Sequence, residues 1–112
     1  MNSNMQLVVL LKQHVETHIN DSDFNVSKLC LFICISRASM YRKIMRLYHC
    51  GPKEYIEDIR LEIAKKKIDT EDCRLKNIAF DVGFSNQKYF TKKFKEKYMM
   101  TPSEYKKQII VS

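Results

Sequence analysis

The amino-acid sequence predicts an all-α domain of about seven helices, built as two helix-turn-helix subdomains joined by a long central linker helix. Three observations carry this. The 112 residues include only two glycines and two prolines, too few for the turn-rich chain of a many-stranded β fold. Apolar residues recur at helical spacing through most of the chain. One local pattern, a short helix, a tight turn and a basic helix, occurs twice.

In chain order, Val8, Leu11, Val15 and Ile19 predict a helix over residues 5–19, ended by the polar cluster at 20–23. VSKLCLFI at 26–33 is a short apolar helix, broken at Cys34 and Ile35. Ser36 suits the N-cap of a helix over 37–48 with Met40, Ile44 and Leu47 on its inner side. Gly51 and Pro52 end that helix and open the next, proline being tolerated in a first helical turn. Residues 53–68 carry Ile56, Ile59, Ile63 and Ala64 at helical spacing. Acids come early here (Glu54, Glu57, Asp58) and Lys65, Lys66 and Lys67 late, which suits the helix dipole and leaves these lysines without need of a functional role. Residues 69–72 form a second polar connection, and LKNIAFDV at 75–82 another short helix. Gly83, Phe84 and Ser85 make a turn, followed by a helix over 86–98 with Phe90, Phe94 and Tyr98 inward as core. Thr101, Pro102 and Ser103 begin a short final helix. The chain thus reads as one domain over 1–112: a first unit at 5–51, a linker helix at 52–68 and a second unit at 69–108.

The repeat is regular. Small residues (Cys30, Ala79), turn positions (Cys34, Gly83) and the apolar residues after them (Ile35, Phe84) each recur 49 positions apart. The first buried residue of the second helix then comes six positions after the turn in one copy (Met40) and seven in the other (Phe90). This is helix-turn-helix grammar. The charge follows it. Net charge is +7, and residues 36–48 and 86–98 together hold nine bases against one acid, while the rest of the chain holds eleven against twelve. Phosphates attract such lysines and arginines, and an α-helix fits the major groove of double-stranded DNA. Two such helices held rigidly would enter successive grooves about 34 Å apart, with any mismatch met by bending the DNA.

Other classes find little support. No Ser/His/Asp set, carboxylate pair or phosphate-cradling glycine loop points to an enzyme or a cofactor. Cys30, Cys34, Cys50 and Cys73 lack the paired spacing of a zinc site, and His14, His18 and His49 are scattered, so the cysteines read as reduced thiols and no metal is expected. No apolar run reaches membrane-spanning length and no signal peptide is evident, which gives a cytoplasmic expectation without membrane contact.

Residues from about 24 to 108 resemble the DNA-binding domain of AraC/XylS-type bacterial transcription activators. IRLEIAKKKI resembles the family's linker helix at Arg60, Leu61 and Ala64. IAFDVGFSNQKYFTKKFKEKYMMTPSEYKK resembles its second-unit signature at Ile78, Ala79, Gly83, Phe84, Tyr89, Phe90, Phe94, Lys95, Thr101, Pro102 and Tyr105. Two departures stand out: Cys34 and Met99 occupy positions where the family usually has glycine. If the backbone there is left-handed, each costs on the order of 1 kcal/mol.

The resemblance implies residue roles. Ala38, Tyr41 and Arg42 would face bases from the first recognition helix, with Arg42 the main guanine reader; a packed aromatic is the other reading of Tyr41. Gln87, Lys88, Thr91 and Lys92 would face bases from the second, Gln87 suiting adenine. Arg37, Ser39, Lys43 and Arg46 would hold phosphates, as would Ser36, Ser85 and Asn86 near helix N-termini. Lys93 and Lys97 are expected to be solvated. SRASMYRKI is also similar to the first recognition helix of hybrid two-component sensor-regulators from gut bacteria, in which this domain is the C-terminal output module. That favours an output module over a stand-alone regulator. The partner implied is double-stranded DNA, with RNA polymerase a candidate second partner. The isolated domain is expected to be monomeric, with pairing on DNA left open. The competing reading is an interaction module that keeps the fold without binding DNA.

Overall fold

The structure, a computed structural model, describes residues 3–70 and 74–111. Among them lie seven helices and no strand: α1 (Ser3–Thr17), α2 (Val26–Ile33), α3 (Arg37–Tyr48), α4 (Pro52–Thr70), α5 (Leu75–Asp81), α6 (Gln87–Tyr98) and α7 (Pro102–Val111). This is the all-α architecture the sequence predicts. Glu71, Asp72 and Cys73, part of the second polar connection, lie outside the described residues.

Local chemistry sets most boundaries. Asn25, Ser36 and Asn86 each accept a hydrogen bond from the backbone N–H three residues on, so side-chain oxygens start α2, α3 and α6. Thr101 and Glu104 cap α7 reciprocally, Thr101 Oγ1 accepting from Glu104 N (3.2 Å) and Glu104 Oε1 accepting from Thr101 N (3.0 Å). Those bonds hold the exposed Glu104 carboxyl below its ordinary pKa. Several boundaries shift by one or two residues from expectation, and two of the shifts affect packing or capping. Helix α1 stops at Thr17 instead of residue 19, which lets Ile19 pack against the second core. Helix α4 runs to Thr70 instead of 68, with Thr70 Oγ1 donating to Lys66 O (2.7 Å).

The two turns share one hydrogen bond and differ in another, Cys34 N donating to Cys30 O (2.8 Å) but Gly83 N to Phe80 O (3.0 Å). Ile35 N donates to Cys30 O (3.2 Å), and Phe84 N donates to Ala79 O (2.8 Å), closing each short helix with the same six-residue link. The one-residue difference between the copies falls after the turn: α3 is capped two residues beyond Cys34, α6 three residues beyond Gly83. Cys34 and Met99 are left-handed, at φ 63° and 65°, and so is His49, at φ 59°, where Gly51 had seemed the natural stop.

Helix α4 serves two cores. Leu11, Val15, Leu29, Met40 and Ile44 pack with Tyr55, Ile56 and Ile59 from its first half. Ile78, Ala79, Val82, Phe84, Phe90 and Phe94 pack with Leu61, Ala64 and Ile68 from its second half. Phe90 and Phe94 are fully buried, and their rings continue to Tyr98 at centroid distances of 5.8 and 4.8 Å. In the first unit, His14 and His18 are not isolated: Phe32 stacks on both, and His18 also stacks on Phe24.

Candidate nucleic-acid interface

Each short helix buries its small residue, Cys30 and Ala79, where the second helix of its pair crosses. Met40 and Ile44 anchor α3 to the first core, and Phe90 and Phe94 anchor α6 to the second. On a helix, fixing one side inward fixes the opposite side outward. The outward residues are the candidate readers. Ala38, Tyr41, Arg42, Gln87, Lys88 and Lys92 are exposed, as are Ser36, Arg37, Lys43, Arg46, Ser85 and Asn86. Ser39 and Thr91 are half-buried. Tyr41 is 51% exposed, so the packed-aromatic reading of it does not hold.

Their contacts are light. Arg37 Nη1 donates to Ser27 Oγ (2.8 Å), and Arg42 Nη2 donates to Ser39 Oγ (3.3 Å). Gln87 Nε2 donates to Leu75 O at 3.5 Å, a long bond that a better acceptor would displace. Among the described residues, no carboxylate lies within ion-pair distance of Arg37, Arg42, Lys43, Arg46, Lys88 or Lys92. Ser39, Arg42, Lys43 and Arg46 line a shallow basic cleft along α3.

The lysines of α6 divide by side. Lys93 Nζ lies 3.9 Å from Glu57 and 3.7 Å from Glu96, and Lys97 Nζ lies 3.7 Å from Asp58 and 3.8 Å from Glu62. Both are expected from the sequence to be solvated rather than base-reading; they lie beside the acids of α4, with side chains still 27% exposed. Tyr89 adds to that seam, donating to Glu57 Oε2 (2.7 Å), which together with burial pushes its hydroxyl up to about 12. Lys65 lies over the rings of Tyr98 and Tyr105 at 5.3 and 5.7 Å.

One cavity of about 490 Å³ brings the two units together. Asn25 and Ser27 at the start of α2, Arg37 at the start of α3, Lys53 and Glu57 on α4, and Ser85, Asn86 and Tyr89 around the start of α6 all border it. The N-terminal ends of the two basic helices therefore open onto a common cleft. Sequence reasoning missed Lys53, Asn25 and Ser27 as its neighbours; their positions in the first turns of α2 and α4 were the available signal. The thiols are elsewhere: Cys30 is buried, Cys34 exposed and Cys50 half-buried, all free, while Cys73 lies outside the described residues. Among the described residues, no helix is long and apolar enough to cross a membrane.

Comparison with known proteins agrees with this geometry. A family model described as "Helix-turn-helix domain" matches residues 29–108. The chain is 33% identical over 91 residues to histidine kinase P4 of Formosa agariphila, covering 81% of this chain and 7% of that protein. It is 26% identical over 94 residues to the arabinose operon regulatory protein of Escherichia coli, covering 84% of this chain and 32% of that protein. The chain thus spans a third or less of these relatives. Among solved structures, the C-terminal domain of the two-component response regulator yesN from Fusobacterium nucleatum superposes with TM-score 0.77 at 28% identity, over 90% of this chain and 98% of that one. The DNA-binding domain of AdpA, solved in complex with a target DNA, superposes with TM-score 0.79 at 20% identity, over 91% and 90%, a likeness of fold. The chain belongs to the AraC-type family of helix-turn-helix, DNA-binding transcription regulators.

Proposed function

We propose that this chain binds double-stranded DNA sequence-specifically, with α3 and α6 in successive major grooves, and thereby regulates, mainly activates, bacterial transcription. The observation that carries the reading is the shared cleft: both basic helices begin at it, and both keep their reader side chains outside their cores. The molecule is 44 Å long, sufficient to hold two helices about 34 Å apart. Units α1–α3 and α5–α7 each present one reader, and α4 is the spacer.

On this reading Arg42 pairs bidentately with guanine, Tyr41 and Ala38 contact neighbouring base edges, and Gln87 leaves its long bond to Leu75 for adenine. Lys88, Thr91 and Lys92 contact the adjacent bases. Arg37, Ser39, Lys43 and Arg46 hold phosphates along α3, and Ser36, Ser85 and Asn86 do so at helix N-termini. The likeness to a histidine kinase and to a response-regulator domain supports a place as the output module of a two-component regulator, acting in the cytoplasm with RNA polymerase as a downstream partner.

The experiment is selection of bound duplexes from a random-sequence pool, followed by titration of the enriched duplex against salt. Binding should weaken as salt rises, with a log–log slope of roughly −3 or steeper for the three phosphate-holding cations Arg37, Lys43 and Arg46. An interaction module would enrich no sequence and show no such slope.

A further inference from the structure

Arg60 is a buried cation with no carboxylate within ion-pair distance among the described residues. Its two Nη atoms are held by backbone instead, while its buried Nε has no hydrogen-bond partner among the described residues. Nη1 donates to Gly83 O (2.6 Å), and Nη2 donates to Asp21 O (3.1 Å) and Phe24 O (3.2 Å). Gly83 is the turn of the second helix-turn-helix unit; Asp21 and Phe24 belong to the α1–α2 connection of the first. Arg60 also sits where α4 changes allegiance: Ile59 packs in the first core and Leu61 in the second. Successive helical residues point about 100° apart, so the side chain between those two emerges at the seam.

Gly83 completes the junction. A Cβ there would lie 2.3 Å from Ile19 O and 2.8 Å from Arg60 Cζ, and its φ is +93°. The absence of a side chain is what lets the first unit's backbone, the guanidinium and the second unit's turn meet.

We infer that Arg60 is a positioning residue: by holding carbonyls of both helix-turn-helix units on one guanidinium, over the side-chain-free Gly83, it fixes the angle between the two recognition helices and so the half-site spacing the protein accepts. The inference rests on the DNA-binding reading for its consequence, though not for its geometry. A planar, two-ended fork suits this task, since a lysine ammonium is a compact point charge that reaches one side at a time. Arg60→Met keeps a similar length but strips the donors from three carbonyls, which costs stability, so the fold of the variant is checked by circular dichroism before locking is judged. Arg60→Lys separates charge from geometry.

The test uses the full chain, its selected duplex, and duplexes with one or two base pairs added or removed between the two contacted segments. Wild type should prefer one spacing. Arg60→Met and Arg60→Lys should bind the best duplex roughly tenfold or more weakly, as rigid two-site geometry is lost, and discriminate between spacings less than about twofold. Residual dipolar couplings should fit one alignment tensor across both units in wild type and need two in the variants. Folded variants that keep the wild-type spacing preference and a single tensor would overturn the inference. If neither variant folds, wild type decides: separate, slowly exchanging Arg60 Nη–H signals with one shared tensor support the lock, and freely exchanging signals or two tensors reject it. If wild type enriches no duplex, the DNA reading fails while the dipolar couplings still judge the lock.

Discussion

Arg42 extends from the outer side of α3, with only Ser39 as a side-chain hydrogen-bond partner among the described residues, so little is lost when it turns to a base edge. Arg42→Ala should weaken binding of the selected duplex by about 1–3 kcal/mol and relax a single base position, read by repeating the selection with the variant. Backbone strain gives a second prediction. Cys34 is exposed and left-handed at φ 63°, so Cys34→Gly should stabilise the fold by about 0.5 kcal/mol in urea denaturation, strain relief outweighing the added freedom of the unfolded chain. Tyr89 gives a third. Its native pKa of about 12 lies above the ordinary 10.0, so its tie to Glu57 contributes stability fully below pH 10 and loses it as pH rises through 12. Tyr89→Phe should flatten the decline in stability across that window. The family signature marked Cys34 as a glycine position before any coordinates. It could not mark His49, because a left-handed stop there depends on how α3 meets α4. Arg60 was visible as part of a motif, but its role was not, since its partners are carbonyls 23, 36 and 39 residues away.

Helix α6 separates two kinds of lysine. Lys88 and Lys92 are exposed, while Lys93 and Lys97 face Glu57, Asp58 and Glu62 on α4. Lys88→Ala and Lys92→Ala should each reduce DNA affinity and relax the base preference beside them, whereas Lys43→Ala on α3, at a phosphate, should lower the salt slope by about one. Lys93→Ala and Lys97→Ala should change affinity less than about twofold, because their charge is already partly offset by acids. Partly exposed ion pairs contribute little to stability, so all four α6 variants should fold, as circular dichroism would report. Helix positions were legible because periodicity and the Ser36 and Asn86 caps are local signals. Which lysines of α6 meet α4 was not, because the pairing joins acids and bases some 35 residues apart and depends on how two helices cross. The same holds for the stacking of His14 and His18 with Phe24 and Phe32, rings brought together by the docking of α1 on α2.

At the scale of the whole molecule, two small cores share one helix. Neither unit closes its core without α4, which lends Tyr55, Ile56 and Ile59 to one and Leu61, Ala64 and Ile68 to the other. Removing a large buried side chain from either core should therefore destabilise both units together: Phe94→Ala should cost about 3–5 kcal/mol and leave a single unfolding transition for the two helix pairs. The 49-residue repeat and the two basic windows made the paired architecture legible; the cleft between the units was not, since it is assembled from four separated stretches of chain. The central claim is that α3 and α6 read one face of DNA together. Hydroxyl-radical footprinting on the selected duplex tests it most directly. The account predicts two protected patches on the same face, centred about 10 base pairs apart, each shrinking when its own helix is altered. A single patch, or two patches on opposite faces of the duplex, would contradict it.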